Sequence, residues 1–171
     1  GRGRSGSVAH ARRAACAEGA RPWLGSLGAG SLGADGALDG VTVGSFSSLS
    51  LDPPLVLWSL DKRANCYRAF VDCKAFVVNV LAEDQSELSR IFSSKTDRPW
   101  SDLEFALAPQ TGAPQFPGCC AYLECAAEAV HPGGDHTIFI GRVLRLEPAM
   151  AGRPLLHFGG AYRRLDDDPV A

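Results

Sequence analysis

The chain has 171 residues, one domain in size, with 21% charged and 46% hydrophobic residues, a balance that supports a self-contained core. A formal net charge of -2 and a pI near 6.1 argue against general binding of nucleic acid or of anionic membrane. No apolar run approaches the ~20 residues of a membrane-spanning helix, and the arginines near the N-terminus are not followed by the apolar stretch of a secretory signal.

Residues 1–37 are rich in Gly, Ala and Arg, with five arginines against Glu18 and Asp35, and show no sustained period of two or 3.6. They read as a linker or disordered arm. Within them Gly28, Gly30 and Gly33 fit G-x-G-x-x-G. A dinucleotide fingerprint needs a strand before and a helix after it, and neither is legible there. From Leu38 the pattern is that of a folded domain. Residues 40–49 carry Val41, Val43, Phe46 and Leu49 among hydroxyl residues, and residues 55–60 form an apolar run consistent with a buried strand. A helix is expected over 63–71, with Cys66, Tyr67 and Phe70 at helical spacing. Residues 75–81 are rich in β-branched side chains and read as a strand. A second helix is expected over 83–92, where acidic residues at the start and Arg90 near the end suit the helix dipole. Residues 122–130 and 137–146 read as an antiparallel pair joined by the turn of His131-Pro-Gly-Gly-Asp-His136. Residues 155–158 make a short closing strand. Many strands, few helices and Pro/Gly turns point to a mainly β fold, a barrel with peripheral helices.

Six cysteines (Cys16, Cys66, Cys73, Cys119, Cys120, Cys125) form no C-x-x-C pair and read as reduced thiols of a cytoplasmic protein. A zinc set of Cys119, Cys125, His131 and His136 matches no usual spacing, so no metal is expected.

The chemistry concentrates in residues 40–54. Thr42, Ser45, Ser47, Ser48 and Ser50 place five hydroxyls in nine residues, which suits a phosphate or the polar edge of a flat heterocycle. Gly44 lets the backbone approach a ring closely, and Asp52-Pro53-Pro54 fixes a stiff extended exit. On the residues alone, a Ser/Thr-rich edge strand running into a turn stands ahead of a ligand site.

The segment GVTVGSFSSLSLDPPLVL, starting at Gly40, resembles the hallmark of the flavin reductase-like family, the short-chain NAD(P)H:flavin oxidoreductases that supply reduced flavin to two-component monooxygenases. Later pieces agree in order. Phe76-Val-Val-Asn-Val-Leu81 resembles the next core strand, residues 85–92 the following helix, Gly134-Asp-His136 the Gly-Asp-His element with Gly141-Arg-Val143 after it, and residues 153–162 the closing segment. The resemblance implies a split β-barrel of FMN-binding, Greek-key-like type over residues 34–165, with 166–171 as a tail. It also implies a cytoplasmic homodimer using FMN or FAD with NADH or NADPH as hydride donor, and a partner monooxygenase fed by flavin transfer.

Carried over residue by residue, Gly44, Ser45, Phe46, Ser47, Ser48, Ser50 and Leu51 become flavin contacts. Lys62, Asn65 and Cys66 fall at the phosphate end, where Lys62 is either a phosphate ligand or a solvated surface lysine. His136 is placed on the nicotinamide side and is the one catalytic candidate, against a plain turn histidine. His157 and Phe158 are further nicotinamide contacts. The expected reaction is hydride transfer from nicotinamide C4 to flavin N5, which needs stacking and donors rather than an acid, base or nucleophile. The alternative is a flavin-binding split barrel with little or no reductase activity. Relatives open with an amphipathic helix and a strand of the Gly-Val-x-Val-Val-Thr type. Residues 1–33 show neither, and read as a disordered arm or an out-of-frame segment of a GC-rich gene. If that strand is missing, the barrel has an open edge.

Overall fold

A computed structural model of the chain describes residues 27–32, 37–94, 100–148 and 152–165. Seven strands form one sheet in the order β2-β1-β5-β8-β9-β4-β3, every neighbouring pair antiparallel. They are β1 (Leu27–Leu32), β2 (Leu38–Val43), β3 (Ser47–Leu51), β4 (Pro54–Asp61), β5 (Ala75–Val80), β8 (Ala121–Gly133) and β9 (His136–Pro148). Two short hairpins lie outside the sheet, β6 (Ala106–Leu107) with β7 (Pro114–Gln115), and β10 (Leu156–Phe158) with β11 (Ala161–Arg163). The helices are α1 (Tyr67–Asp72) and α2 (Ser86–Ser93). This is the expected mainly β architecture, a curled, split barrel.

The expected strands at 55–60, 75–81, 122–130, 137–146 and 155–158 all form, most of them at or near the expected bounds. Strand β4 is better described by alternation than by a uniformly buried run. Val56, Trp58 and Leu60 are buried while their neighbours are half-buried. Strand β5 is buried almost throughout, as an apolar run between two layers should be. The β8–β9 connection is a two-residue turn, Gly134-Asp135, flanked by the pair Gly133↔His136. Gly134 has φ +73 and Asp135 is not left-handed, the pattern of a type II′ turn that places Gly first.

The expectation that no strand precedes residue 38 is corrected. Leu27–Leu32 forms β1, paired on one side with β2 and on the other with β5. The sequence LGAGSL has no β-branched or aromatic residue, so its intrinsic strand preference is weak, and the two flanking strands impose the extended conformation. Gly28 and Gly30 of the G-x-G-x-x-G run therefore lie in a strand paired antiparallel on both sides, not in a strand-to-helix turn. Residues 1–26 and 166–171 lie outside the described residues, and so do the readings made of them.

Both helices start later than expected. At α1 the Asp61 carboxylate accepts the Arg63 N–H at 2.8 Å and the Asp61 carbonyl accepts the Ala64 N–H at 3.0 Å, so residues 61–66 are held in turns. At α2 the Gln85 side chain does the same work, accepting Ala82 N–H at 2.9 Å and donating to the Pro117 carbonyl at 2.7 Å.

The sheet separates two apolar clusters. Inside the curl, Trp58 stacks on Phe139 at 4.6 Å between ring centres and meets Phe70 and Phe76 edge-on at 5.0 and 5.7 Å. Each such ring contributes ~1.5–3 kcal/mol by burial. The second cluster holds Leu81, Phe116 and Leu155, with Phe92, Trp100 and Phe105 packed against it. Two buried polar side chains tie the segment 110–116 to the sheet. Asn79 donates to the Pro114 carbonyl and accepts the Phe116 N–H, while Glu124 accepts the Gln110 and Thr111 N–H groups and pairs with Arg145.

Candidate functional site

Strand β2 ends the sheet on one side, and β4 followed by β3 ends it on the other. The two ends meet at one point. The Ser45 hydroxyl accepts the Ser59 N–H at 2.9 Å and donates to the Ser59 carbonyl at 3.1 Å. A serine side chain thus replaces a ladder rung just where the chain has left β2 and β3 has not begun. Beyond this tie β2 and the end of β4 part, and a cleft of about 650 Å³ opens between them. One wall is Asp39 to Gly44, and the other is Ser59 to Asp61 with the turn Arg63 to Cys66. His136 closes the polar end. The end of α2, with Trp100 and Leu103, closes the other. The volume lies within the ~300–1,000 Å³ of small-molecule sites.

Alternation along β2 explains the wall. Val41 and Val43 turn into the inner core. On the other side Gly40 lies directly against the Phe92 ring, and the Thr42 hydroxyl donates to the Ser89 carbonyl of α2 at 2.8 Å. Ser89 is fully buried and its own hydroxyl accepts from Tyr162 at 2.9 Å, so β2, α2 and the β10–β11 hairpin are connected. Gly44 lines the cleft, and a Cβ built there meets nothing within 4 Å, which leaves room for a flat ring against the backbone.

The polar rim carries fixed charges. Arg63 grips Asp61 with its guanidinium at 2.7 Å and its backbone N–H at 2.8 Å. Those two bonds hold the Asp61 carboxyl far below the usual carboxylate range, and Asp61 in turn raises Arg63. His136 Nδ1 lies 2.8 Å from the Asp135 carboxylate, which that contact lowers. In register His136 is also the cross-strand partner of Asp61. Cys66, half-buried in the wall, is pushed up to about 11, first by burial and then by the charge of Asp39. It is a neutral thiol at physiological pH, not a nucleophile.

The cleft brings together Gly44, Ser45, Asn65, Cys66 and His136 of the residues expected from sequence. The others lie elsewhere. Phe46 packs on the inner core, and Ser47, Ser48, Ser50 and Leu51 lie on the edge strand β3. Lys62 donates to the Gly134 carbonyl at 2.6 Å and clamps the β8–β9 turn. It is therefore neither in the cleft wall nor simply solvated. His157 and Phe158 are exposed on β10, where His157 meets Tyr162 edge-on at 5.5 Å. Sequence reasoning missed Arg63, Asp61 and Ser59 on the rim and Phe92 and Trp100 at the far end. The signal for Arg63 was present, since a guanidinium next to Lys62 suits phosphate better than an ammonium. Among the described residues no group of three or more His, Cys, Asp or Glu side chains is placed to hold a metal ion. Cys125, one of the four zinc candidates, is sealed in the core.

A family profile described as the flavin reductase-like domain matches residues 28–166. The FMN reductase (NADH) SmoA of Agrobacterium fabrum is 44% identical over 125 residues, 73% of this chain and 70% of that protein. The reductase subunit HsaB of a flavin-dependent monooxygenase of Rhodococcus jostii is 38% identical over 134 residues, 76% of this chain and 68% of that protein. The structure of the NADH:FAD oxidoreductase SgcE6 of Streptomyces globisporus superposes with a TM-score of 0.78 at 34% identity, covering 85% of this chain and 87% of that one. The same protein has been solved with NAD and FAD fragments.

Proposed function

We propose a function from one premise: this chain belongs to the flavin reductase-like family. It is an NAD(P)H:flavin oxidoreductase that reduces FMN or FAD and supplies the reduced flavin to a partner monooxygenase. The observation that carries this reading is the cleft itself. It has a hydroxyl- and glycine-lined wall and a charged rim.

The residues fit a flavin. Gly44 leaves open space beside the backbone, and β2, which lines the cleft, is the terminal strand of the sheet among the described residues. When bound beside a nicotinamide, the flavin supplies the redox chemistry, a two-electron hydride transfer to its N5. The chain's own work is orientation. Ser45 fixes the corner at which the cleft begins, and the backbone of 42–45 offers donors toward a heterocycle edge. Arg63, immobilised by Asp61, offers a directed cation for phosphate. His136, held by Asp135, is placed to set the approach of the nicotinamide, so it acts as a positioning group. Ser47, Ser48, Ser50 and Leu51 on β3, with Lys62, His157 and Phe158, stand outside the cleft of a single chain. They would touch flavin or nicotinamide only where the ligand reaches past this cleft, within the chain or across to a second subunit.

We place the working protein as a homodimer. The exposed apolar residues Leu49 and Leu51 of the edge strand β3, with Val130 and Leu144 on β8 and β9, favour a covered surface. We place it in the cytoplasm, where nicotinamide pools and reduced thiols are found. The five described cysteines form no disulfide, and no helix among the described residues is long and apolar enough to cross a membrane. The purified chain is expected to consume NADH or NADPH only when FMN or FAD is added, read as loss of nicotinamide absorbance. Absence of flavin-dependent consumption with every combination would overturn the reading. A tightly held yellow chromophore without turnover would favour the flavin-binding alternative.

A further inference from the structure

The end of the cleft away from His136 is built differently from the rest. There Ile91, Phe92, Trp100 and Leu103 replace hydroxyls and charges. Trp100 is held by three aromatic neighbours. It stacks parallel to Phe116 at 6.1 Å with 12° between planes, meets Phe105 edge-on at 5.5 Å, and lies tilted against Phe92 at 5.3 Å. Phe92 is fixed in turn by Phe116 at 5.3 Å and by Gly40, whose lack of a Cβ lets the ring touch the strand. Both rings are only half-buried, and both line the cleft. This is a rigid aromatic surface facing a ligand space, not a sealed core. Its distance from the corner at Ser45 follows from the strand. Gly40 touches Phe92, and Gly44 lies beside the Ser45–Ser59 tie, four residues on, which is about 13 Å at ~3.3 Å per residue.

We propose that this end is a stacking site for the adenine ring of a dinucleotide. The inference rests on the flavin reductase reading above. A dinucleotide has a redox ring and an adenine joined by a diphosphate, and the cleft has a hydroxyl-lined wall, a guanidinium on Arg63 at its polar rim and an aromatic end. A base presents a π-face to aromatic side chains without needing a hydrogen-bond code. The adenine can come from FAD or from NAD(P)H, and the measurements separate the two.

Adenosine monophosphate, which carries the base but no redox ring, is titrated into the full-length protein with tryptophan fluorescence as the signal. Trp58 is fully buried, so Trp100 is the described indole that a base can reach. Saturable quenching is expected in the wild-type protein, and calorimetric titration should show adenosine monophosphate binding kept in Trp100→Phe and lost in Trp100→Leu. In steady-state assays Trp100→Leu lowers the preference for the adenine-bearing partner about five- to hundred-fold. That is the span of ~1–3 kcal/mol of base–aromatic stacking at 1.4 kcal/mol per tenfold. A fall in the FAD-to-FMN ratio assigns the site to the flavin's adenine. A fall in the ratio of NADH to reduced nicotinamide mononucleotide assigns it to the hydride donor. Because each readout is a ratio within one variant, loss of active protein cancels. The proposal is overturned if adenosine monophosphate does not bind the wild-type protein. It is equally overturned if the variant changes FAD and FMN alike and both nicotinamide donors alike, which would make the aromatic end a wall for the isoalloxazine or a structural element. Failure of the reductase reading is seen separately, as no NAD(P)H consumption by the wild-type chain with either flavin.

Discussion

Gly40→Ala is the sharpest test of how β2 and α2 shape the cleft. A Cβ at this position lies 2.5 Å from Phe92 Cε1 and 2.7 Å from Cδ1, where ordinary contact begins at 3.4 Å. The ring must therefore retreat by about 0.9 Å (3.4 less 2.5). It cannot do so freely, because Trp100 and Phe116 stand at 5.3 Å on its other sides. Overpacking of this kind costs ~1–3 kcal/mol. Against it, alanine in a strand is better than glycine by ~0.5–1 kcal/mol, since less backbone freedom is lost on folding. The net loss in the wild-type background is about 1 kcal/mol, or ~2–4 °C in Tm for a chain of this size. With Phe92→Ala in place the clash is gone and only the strand preference remains, so Gly40→Ala should then stabilise by ~0.5–1 kcal/mol. The assay is urea unfolding of the four proteins of the double-mutant cycle. The expected signature is a change of sign between backgrounds, with a coupling of ~1–3 kcal/mol. Equal effects in the two backgrounds, within ~0.5 kcal/mol, would refute the account of why glycine stands at this position.

Ser45→Ala removes both bonds to Ser59 and should cost about 1 kcal/mol without changing the urea slope, because water can reach the exposed Ser59 groups, while Ser45→Thr should restore most of it. Unchanged stability of Ser45→Ala would mean that the tie does not hold the corner. Arg63→Ala should weaken nucleotide binding at low salt and flatten its salt dependence, whereas Lys62→Ala should leave binding nearly intact and loosen the 133–136 turn. Titrations over a salt series decide between them, and the reverse order would return the phosphate role to Lys62. The thiols predict an alkaline limit. Burial raises Cys66 and Cys73 from an ordinary 9.0 to about 11, so the folded state favours the protonated form. Their contribution is complete below about pH 9 and lost as pH rises through about 11, so the urea midpoint should fall across that window. Alkylation of Cys66, followed by mass spectrometry, should stay slow until the same window is reached.

The strands that could be read from sequence are those whose own residues favour extension. Residues 55–60, 75–80 and 137–146 carry Val, Ile, Leu and aromatics, and their local preference agrees with their place in the sheet. Strand β1 could not be read this way. Its LGAGSL has no local preference for a strand, and it extends because β2 and β5 both pair with it. The hairpins β6–β7 and β10–β11 are similar. The first depends on buried Asn79 and Glu124, tens of residues away or beyond a turn, and the second packs on α2 through Tyr162 and Ser89. The late starts of the helices reflect side chains competing for the same N–H groups, at Asp61 and Gln85, which a periodicity of apolar residues does not register.

The hydroxyl-rich run shows the same limit at the site. Composition marks Thr42 and Ser45 as equivalent candidates for a ligand, yet each already has a partner inside the protein. Thr42 donates to Ser89, 47 positions away, and Ser45 is tied to Ser59, 14 positions away. Both partners are fixed by which strand edges meet, a long-range property that no local window contains. What remains for a flat ligand at this corner is the feature with no side chain at all, the open space beside Gly44. The hydroxyls therefore build the cleft, and Gly44 leaves it open. Substituting Gly44 by a bulky residue should obstruct binding at little cost in stability, since a Cβ there meets nothing within 4 Å. Gly40→Ala should do the opposite and register first in stability.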